Sequence, residues 1–135
     1  TVKLDLSSLP MIQASRGELV QVWTNLIKNA VESMEQSDSK KKILIVKSRA
    51  AEKSIEVSIQ DNGPGIPRDL LPRILQPNVT TKEKGLDFGL GLGLSIVERI
   101  VTAHSGDLFV RSRSGQTVFT VRLPAQKKAG SAVKR

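Results

Sequence analysis

The chain has 135 residues, 39% of them hydrophobic and 25% charged, enough to bury one compact core. The absence of cysteine excludes disulfides and thiolate metal sites, and no apolar run approaches the roughly 20 residues of a membrane-spanning helix. The net charge of +8 favours an anionic partner, either nucleic acid or nucleotide phosphate, although part of it sits in the closing stretch AQKKAGSAVKR.

Aromatic residues make up 3% of the chain, with no tyrosine, so the core must be aliphatic. TVKLDL alternates apolar and polar residues and reads as a strand. A chain that starts inside such a stretch, with no signal peptide, reads as a piece of a longer protein, and the lack of cysteine is compatible with the cytoplasm. LPMIQAS is a short second strand or an extended connection. Ser15 followed by Glu18 is a capping-box signature, and Leu19, Val22, Trp23, Leu26, Ile27, Ala30 and Met34 then recur at helical spacing. This first helix is expected to end near QSDSKKK.

KILIVKSRA and KSIEVSIQ are two β-rich runs joined as a hairpin, and DNGPGIP follows as a dense turn signal. RDLLPRIL is one or two helical turns interrupted by Pro72. Residues 76–90 are polar, contain glycine and lack periodicity, which reads as a long loop, mobile without ligand. A second long helix follows with Leu94, Ile96, Val97, Ile100 and Val101 as its apolar positions and Gly106 as its terminator. GDLFVRSRSGQTVFTVRLP is a second hairpin turning at Ser114-Gly115. Two helices and about five strands imply an α+β sandwich, with the helices on one face of a mixed sheet. Residues 1–124 form one domain, and 125–135 are a basic, disordered tail or linker.

Three constellations can carry chemistry. Gln21, Asn25, Asn29 and Glu32 share one face of the first helix. Two asparagines in mid-helix are disfavoured by about 1 kcal/mol relative to alanine. They form either a solvated polar stripe or an amide row that ligates a hard cation through oxygen and donates to phosphate through nitrogen. Asp61 ends a strand, where its carboxylate could accept from an exocyclic amine, and Gly63 and Gly65 behind it permit unusual backbone or close ligand approach. Gly89, Gly91 and Gly93 precede the second helix, whose free N–H groups attract phosphate. The Walker A ending is absent, and Leu94 breaks the dinucleotide fingerprint.

In this order NLIKNAVESM, DNGPGIP and GLGLGLSIVERIVTAHSGDL resemble the N box and two glycine boxes of the ATP-binding catalytic domain of sensor histidine kinases, and QTVFTVRLP resembles its last strand. The likeness spans nearly all of residues 1–124 and extends to a superfamily with DNA gyrase, the Hsp90 chaperones and mismatch-repair ATPases. It implies a two-layer α/β sandwich of the Bergerat type with a mixed five-stranded sheet. It implies Mg-ATP as ligand, with Asn25 and Asn29 acting at the phosphates and Asn29 on the Mg²⁺. It implies Asp61 on the adenine amine, with Gly63, Gly65, Ile66 and Thr117 around the base. It also implies a lid and helix start, Thr81, Lys82, Gly89, Leu90, Gly91, Leu92, Gly93 and Leu94, about the phosphates.

The hydrolysing relatives carry a glutamate four residues before the metal-binding asparagine, and Asn25 stands there, which favours phosphoryl transfer to a protein over hydrolysis. The acceptor would be a histidine on a separate dimerisation domain, with a response regulator downstream and no direct membrane contact by this domain. The family's lid has a phenylalanine-rich segment that ILQPNVTTK lacks. His104 is read as structural, favoured by the helix dipole, not as acceptor. The competing readings are a serine kinase or ATPase of the same superfamily, and a basic nucleic-acid-binding module. Three Phe, one Trp and no Tyr offer too few stacking surfaces for the last.

Overall fold

Five strands and two helices alternate along the chain: β1 (Val2–Leu6), α1 (Arg16–Glu35), β2 (Leu44–Ala50), β3 (Ser54–Asp61), α2 (Gly93–Ala103), β4 (Asp107–Arg113) and β5 (Gln116–Pro124). This is a computed structural model, and it describes residues 1–72 and 93–125. The strands form one sheet in the order β1-β2-β3-β5-β4, with β1 parallel to β2 and every other pair antiparallel. The expected mixed sheet and its two hairpins are therefore present. The segment LPMIQAS is an extended connection without strand pairing, and residues 68–72 form a turn in which Leu70 and Leu71 donate their N–H groups to Pro67 O.

Both helices lie on one face of the sheet. Val22 and Leu26 of α1 and Leu94, Val97 and Val101 of α2 pack on Ile59, Val121 and Leu123, and all are essentially sealed from water. Each such side chain contributes roughly 1.5–3 kcal/mol by burial. The alternation that builds the floor is fixed by register: Leu44, Asp61 and Thr117 align across β2, β3 and β5, as do Val46, Ile59 and Phe119. Polar Asp61 and Thr117 thus sit in a row that is otherwise core.

The opposite sheet face carries no covering element among the described residues. Arg49 pairs with Glu56 and Arg122 with Asp107, each at 2.9 Å, while Lys47 and Arg111 lie on the same face. At the sheet edge, Val2, Leu4 and Leu6 are 60–64% exposed. Among the described residues no helix is long and apolar enough to cross a membrane.

Two helix ends depart from the sequence reading. Ser15 caps α1 by accepting from the Glu18 N–H at 3.3 Å, but the reciprocal half of the box is made elsewhere: the Ser15 N–H donates to His104 Nε2 at 3.1 Å. With Nε2 accepting, Nδ1 carries the proton and donates to Ile100 O at 2.8 Å. His104 thus ties the start of α1 to the end of α2. Gly106 is not the left-handed residue ending α2. Ser105 is, at φ 61°, in a Schellman pairing of Gly106 N–H to Val101 O and Ser105 N–H to Thr102 O, both 2.9 Å. Glycine is required one position later because a Cβ there would collide with Arg122 O and come within 2.8 Å of Leu123 Cδ2.

Candidate functional site

The last residue of β3 places a carboxylate in the core layer. Asp61 is 3% exposed and stands between Leu44 and Thr117 in the sheet. Burial pushes its pKa up from 3.8 to about 6, and hydrogen bonds from the Gly63 N–H, at 2.8 Å to Oδ1, and from the Ser33 hydroxyl pull the other way. At neutral pH the group is an anion short of solvent, an acceptor suited to a neutral N–H donor.

The turn after Asp61 is moulded to its own protein. A Cβ on Gly63 would collide with Ser33 Oγ and lie 3.0 Å from Asp61 Oδ1. Gly65 has φ +89°, and a Cβ there would run into the Arg113 carbonyl oxygen. Asn62 ties the turn to the approach to β2, accepting from Ile43 N–H at 2.9 Å and donating to Lys41 O at 2.8 Å. The Ile66 N–H donates to Ser112 Oγ at 2.7 Å, and Ser112 Oγ is 2.8 Å from Thr117 Oγ1. Thr117, 3% exposed, is thereby locked beside Asp61 through the hairpin of β4 and β5.

On α1 the polar row dives into the protein. Gln21 is exposed and Asn25 and Glu32 are half-buried, but Asn29 is 5% exposed and its Nδ2 has no hydrogen-bond partner among the described residues. A solvated stripe does not account for it, because an orphaned buried donor costs about 1–3 kcal/mol. Among the described residues no group of three or more His, Cys, Asp or Glu gathers to hold a metal ion. Mg²⁺ carried on phosphates retains waters and takes few protein ligands, and an amide oxygen is one it accepts. Asn29 fits such a complex, its amide oxygen being a hard ligand and its Nδ2 a donor for a phosphate oxygen.

Gly93 begins α2. Leu94, 2% exposed, spends its side chain on the core with Val97 and Val101, leaving only its backbone for a ligand. Thr81, Lys82, Gly89, Leu90, Gly91 and Leu92 lie outside the described residues, as does the loop 76–90. The structure brings Asp61, Gly63, Gly65, Ile66 and Thr117 together at one end of the sheet, and α1 packs on β3 beside them. Two residues of this cluster were missed in the sequence. Ser33 is the next step of four after Gln21, Asn25 and Asn29, so the stripe itself pointed to it. Ser112 follows from the hairpin, since a turn at Ser114-Gly115 sets it opposite Thr117.

This two-layer fold is shared with a class of ATPase domain. The chain belongs to that class: residues 14–127 match the family described as histidine kinase-, DNA gyrase B-, and HSP90-like ATPase. Within it the chain is an ATP-binding catalytic domain of the sensor histidine kinase type. It is 38% identical over 134 residues to the sensory histidine kinase/phosphatase NtrB of Rhizobium leguminosarum bv. phaseoli, covering 90% of this chain and 34% of that protein. It is 34% identical over 130 residues to sporulation kinase E of Bacillus subtilis (strain 168), covering 95% of this chain and 17% of that protein. The chain thus spans about a third or less of these relatives. The catalytic domain of histidine kinase ThkA superposes with a TM-score of 0.73 at 27% identity, covering 93% of this chain and 82% of that one. Full-length ShkA, solved in complex with AMPPNP, superposes at 0.70 with 27% identity, covering 95% of this chain and 27% of that one. Histidine kinase ThkA, solved in complex with response regulator protein TrrA, matches at 0.69 with 25% identity over 93% of this chain and 34% of that one.

Proposed function

We propose that this domain binds Mg-ATP and donates the γ-phosphoryl group to a histidine on a separate dimerisation domain of the parent protein, from which a response regulator is phosphorylated. The observation that carries the reading is the pairing of a sealed acceptor, Asp61, with a sealed donor, Asn29 Nδ2, that has no partner among the described residues. Each is unfavourable in the empty protein, and one adenine nucleotide complements both. Residues 1–124 form the working unit, and 125–135 a tail.

Asp61 accepts from the exocyclic amine of adenine, with Gly63, Gly65 and Ile66 forming the wall and Thr117 the floor beside it. Asn29 and Asn25 face the phosphates, with Gly93 and Leu94 offering backbone N–H groups at the start of α2. Thr81, Lys82, Gly89, Leu90, Gly91 and Leu92, outside the described residues, are assigned to the same phosphates by the family resemblance alone. When bound, Mg²⁺ would neutralise charge on the β- and γ-phosphate oxygens. The acceptor imidazole attacks the γ-phosphorus, the bond to the bridging oxygen breaks, and ADP leaves. The domain's part is positioning. Asn25 has no basic group to activate water, which disfavours hydrolysis.

Isothermal titration of the domain with Mg-ATP and Mg-ADP tests the reading. Heat of binding is expected for the wild type and its loss for Asp61→Asn. No heat at millimolar nucleotide for the wild type would overturn it.

A further inference from the structure

We propose that Ser33 is a positioning and selectivity residue of this site: its hydroxyl, donating to the Asp61 carboxylate, holds that group as a pure acceptor and so favours adenine over guanine bases. This inference rests on the nucleotide-binding reading given above.

Ser33 lies one helical step of four beyond Asn29, so the same face of α1 serves both ends of the site. Its hydroxyl is wedged against the turn that follows Asp61. It hydrogen-bonds the Asp61 side chain, and it occupies the space that a Cβ on Gly63 would need. Glycine at 63 and serine at 33 therefore form one fitted contact around the carboxylate.

The chemistry follows from the protonation of that carboxylate. An ionised carboxylate only accepts, whereas a neutral carboxyl also donates. Adenine presents an exocyclic amine, a donor. Guanine presents a carbonyl oxygen at the equivalent position, so two acceptors would face each other and neither would be satisfied. A neutral Asp61 could donate to that oxygen and lose the distinction. Burial drives Asp61 towards the neutral form, with its midpoint at about 6. The groups facing it are Leu44 from β2, Thr117 from β5, Ser33 from α1 and Gly63 from the following turn. None is ionisable, and among the described residues no charged side chain contributes to the shift. Two hydrogen bonds keep the anion in place. The one from Gly63 is backbone, so among the described residues Ser33 is the side chain whose removal should change the balance.

The test is Ser33→Ala, with Ser33→Thr as the rescue and Ser33→Cys, of nearly the same shape and a weak donor, as a second loss variant. In the nucleotide-free domain, the ¹³C signal of the Asp61 carboxyl is titrated by NMR. Removing one hydrogen bond to an ion raises the midpoint by about one unit, with Ser33→Thr returning it to the wild-type value. At pH 6.5 a one-unit rise lowers the ionised fraction about threefold and raises the neutral fraction about threefold, so the ratio of Mg-GTP to Mg-ATP dissociation constants should fall by up to about tenfold. An unmoved Asp61 midpoint in both loss variants overturns the inference even where Mg-ATP binds normally. A midpoint that moves while the dissociation-constant ratio stays fixed also overturns it. A wild-type domain that binds no nucleotide while the midpoint moves instead refutes the binding reading, and selectivity with it.

Discussion

Asp61→Asn should make the empty domain more stable at neutral pH while destroying its ability to hold adenine. In the folded chain the carboxyl titrates near 6 against 3.8 for an unstrained aspartate, a rise of about 2 units caused chiefly by burial. At 1.36 kcal/mol per unit this is about 3 kcal/mol. The sign follows from proton counting. Between pH 3.8 and 6 the folded state binds more protons than the unfolded state, so stability falls as pH rises through that window, and the full penalty stands above it. Asparagine has the same shape, still accepts from the Gly63 N–H through Oδ1, and does not titrate. The variant and wild type should be close in stability at pH 4, and the variant ahead by up to about 3 kcal/mol at pH 7. Urea unfolding of both proteins at pH 4, 5, 6 and 7 measures the gap directly. A gap that is flat across the series, or a variant that is the weaker protein at pH 7, would refute the claim that a desolvated anion sits at the end of β3.

Asn29→Ala removes an orphaned buried amide, so the empty domain should lose no stability or gain about 1 kcal/mol in urea, while nucleotide affinity drops further with Mg²⁺ than with EDTA. Gly65→Ala should cost about 2 kcal/mol or more, because it adds a collision with Arg113 O to a backbone at φ +89°. Gly115→Ala, at φ +82° with open space around the Cβ, should cost only about 1 kcal/mol, and thermal unfolding of the pair isolates the close approach. His104→Ala breaks the latch to Ser15 and should lower stability by about 1 kcal/mol. The wild-type domain incubated alone with labelled ATP should carry no acid-labile phosphate on His104, since both ring nitrogens are engaged.

Periodicity made the layers legible. The heptad-like stripe of α1 and the alternation of β3 and β5 bury the residues that their spacing singles out, and Ser15 does cap the helix it precedes. What the sequence concealed is non-local. Nothing in TVKLDL says that it runs parallel to β2, because parallel pairing is decided by the connection and not by the strand. The His104 contact spans 89 positions and uses a backbone N–H, which any residue at 15 would offer. Ser105 takes the left-handed position because the glycine beside it is committed to clearing β5, so the usual preference loses to a steric demand. The depth of Asn29 was hidden for a related reason. A polar residue on a helix looks solvated until the neighbouring sheet row, Asp61 and Thr117, turns out to be polar as well.

Those two buried groups also account for why the site is worth its instability. Asp61 carries a penalty of about 3 kcal/mol at neutral pH, and the free amide of Asn29 about 1–3 kcal/mol more. Together they consume a sizeable part of the 5–15 kcal/mol that a domain of this size has to spare. A ligand that donates to the first and accepts from the second relieves both, so the nucleotide should raise folding stability by more than its polar contacts alone would supply in water. The excess should vanish in Asp61→Asn, which loses the nucleotide altogether, and shrink in Asn29→Ala. It is read as the shift of the urea midpoint at a saturating, fixed Mg-ADP concentration, relative to the nucleotide-free midpoint of the same variant. A single variant that keeps the whole shift would mean that its residue never met the ligand.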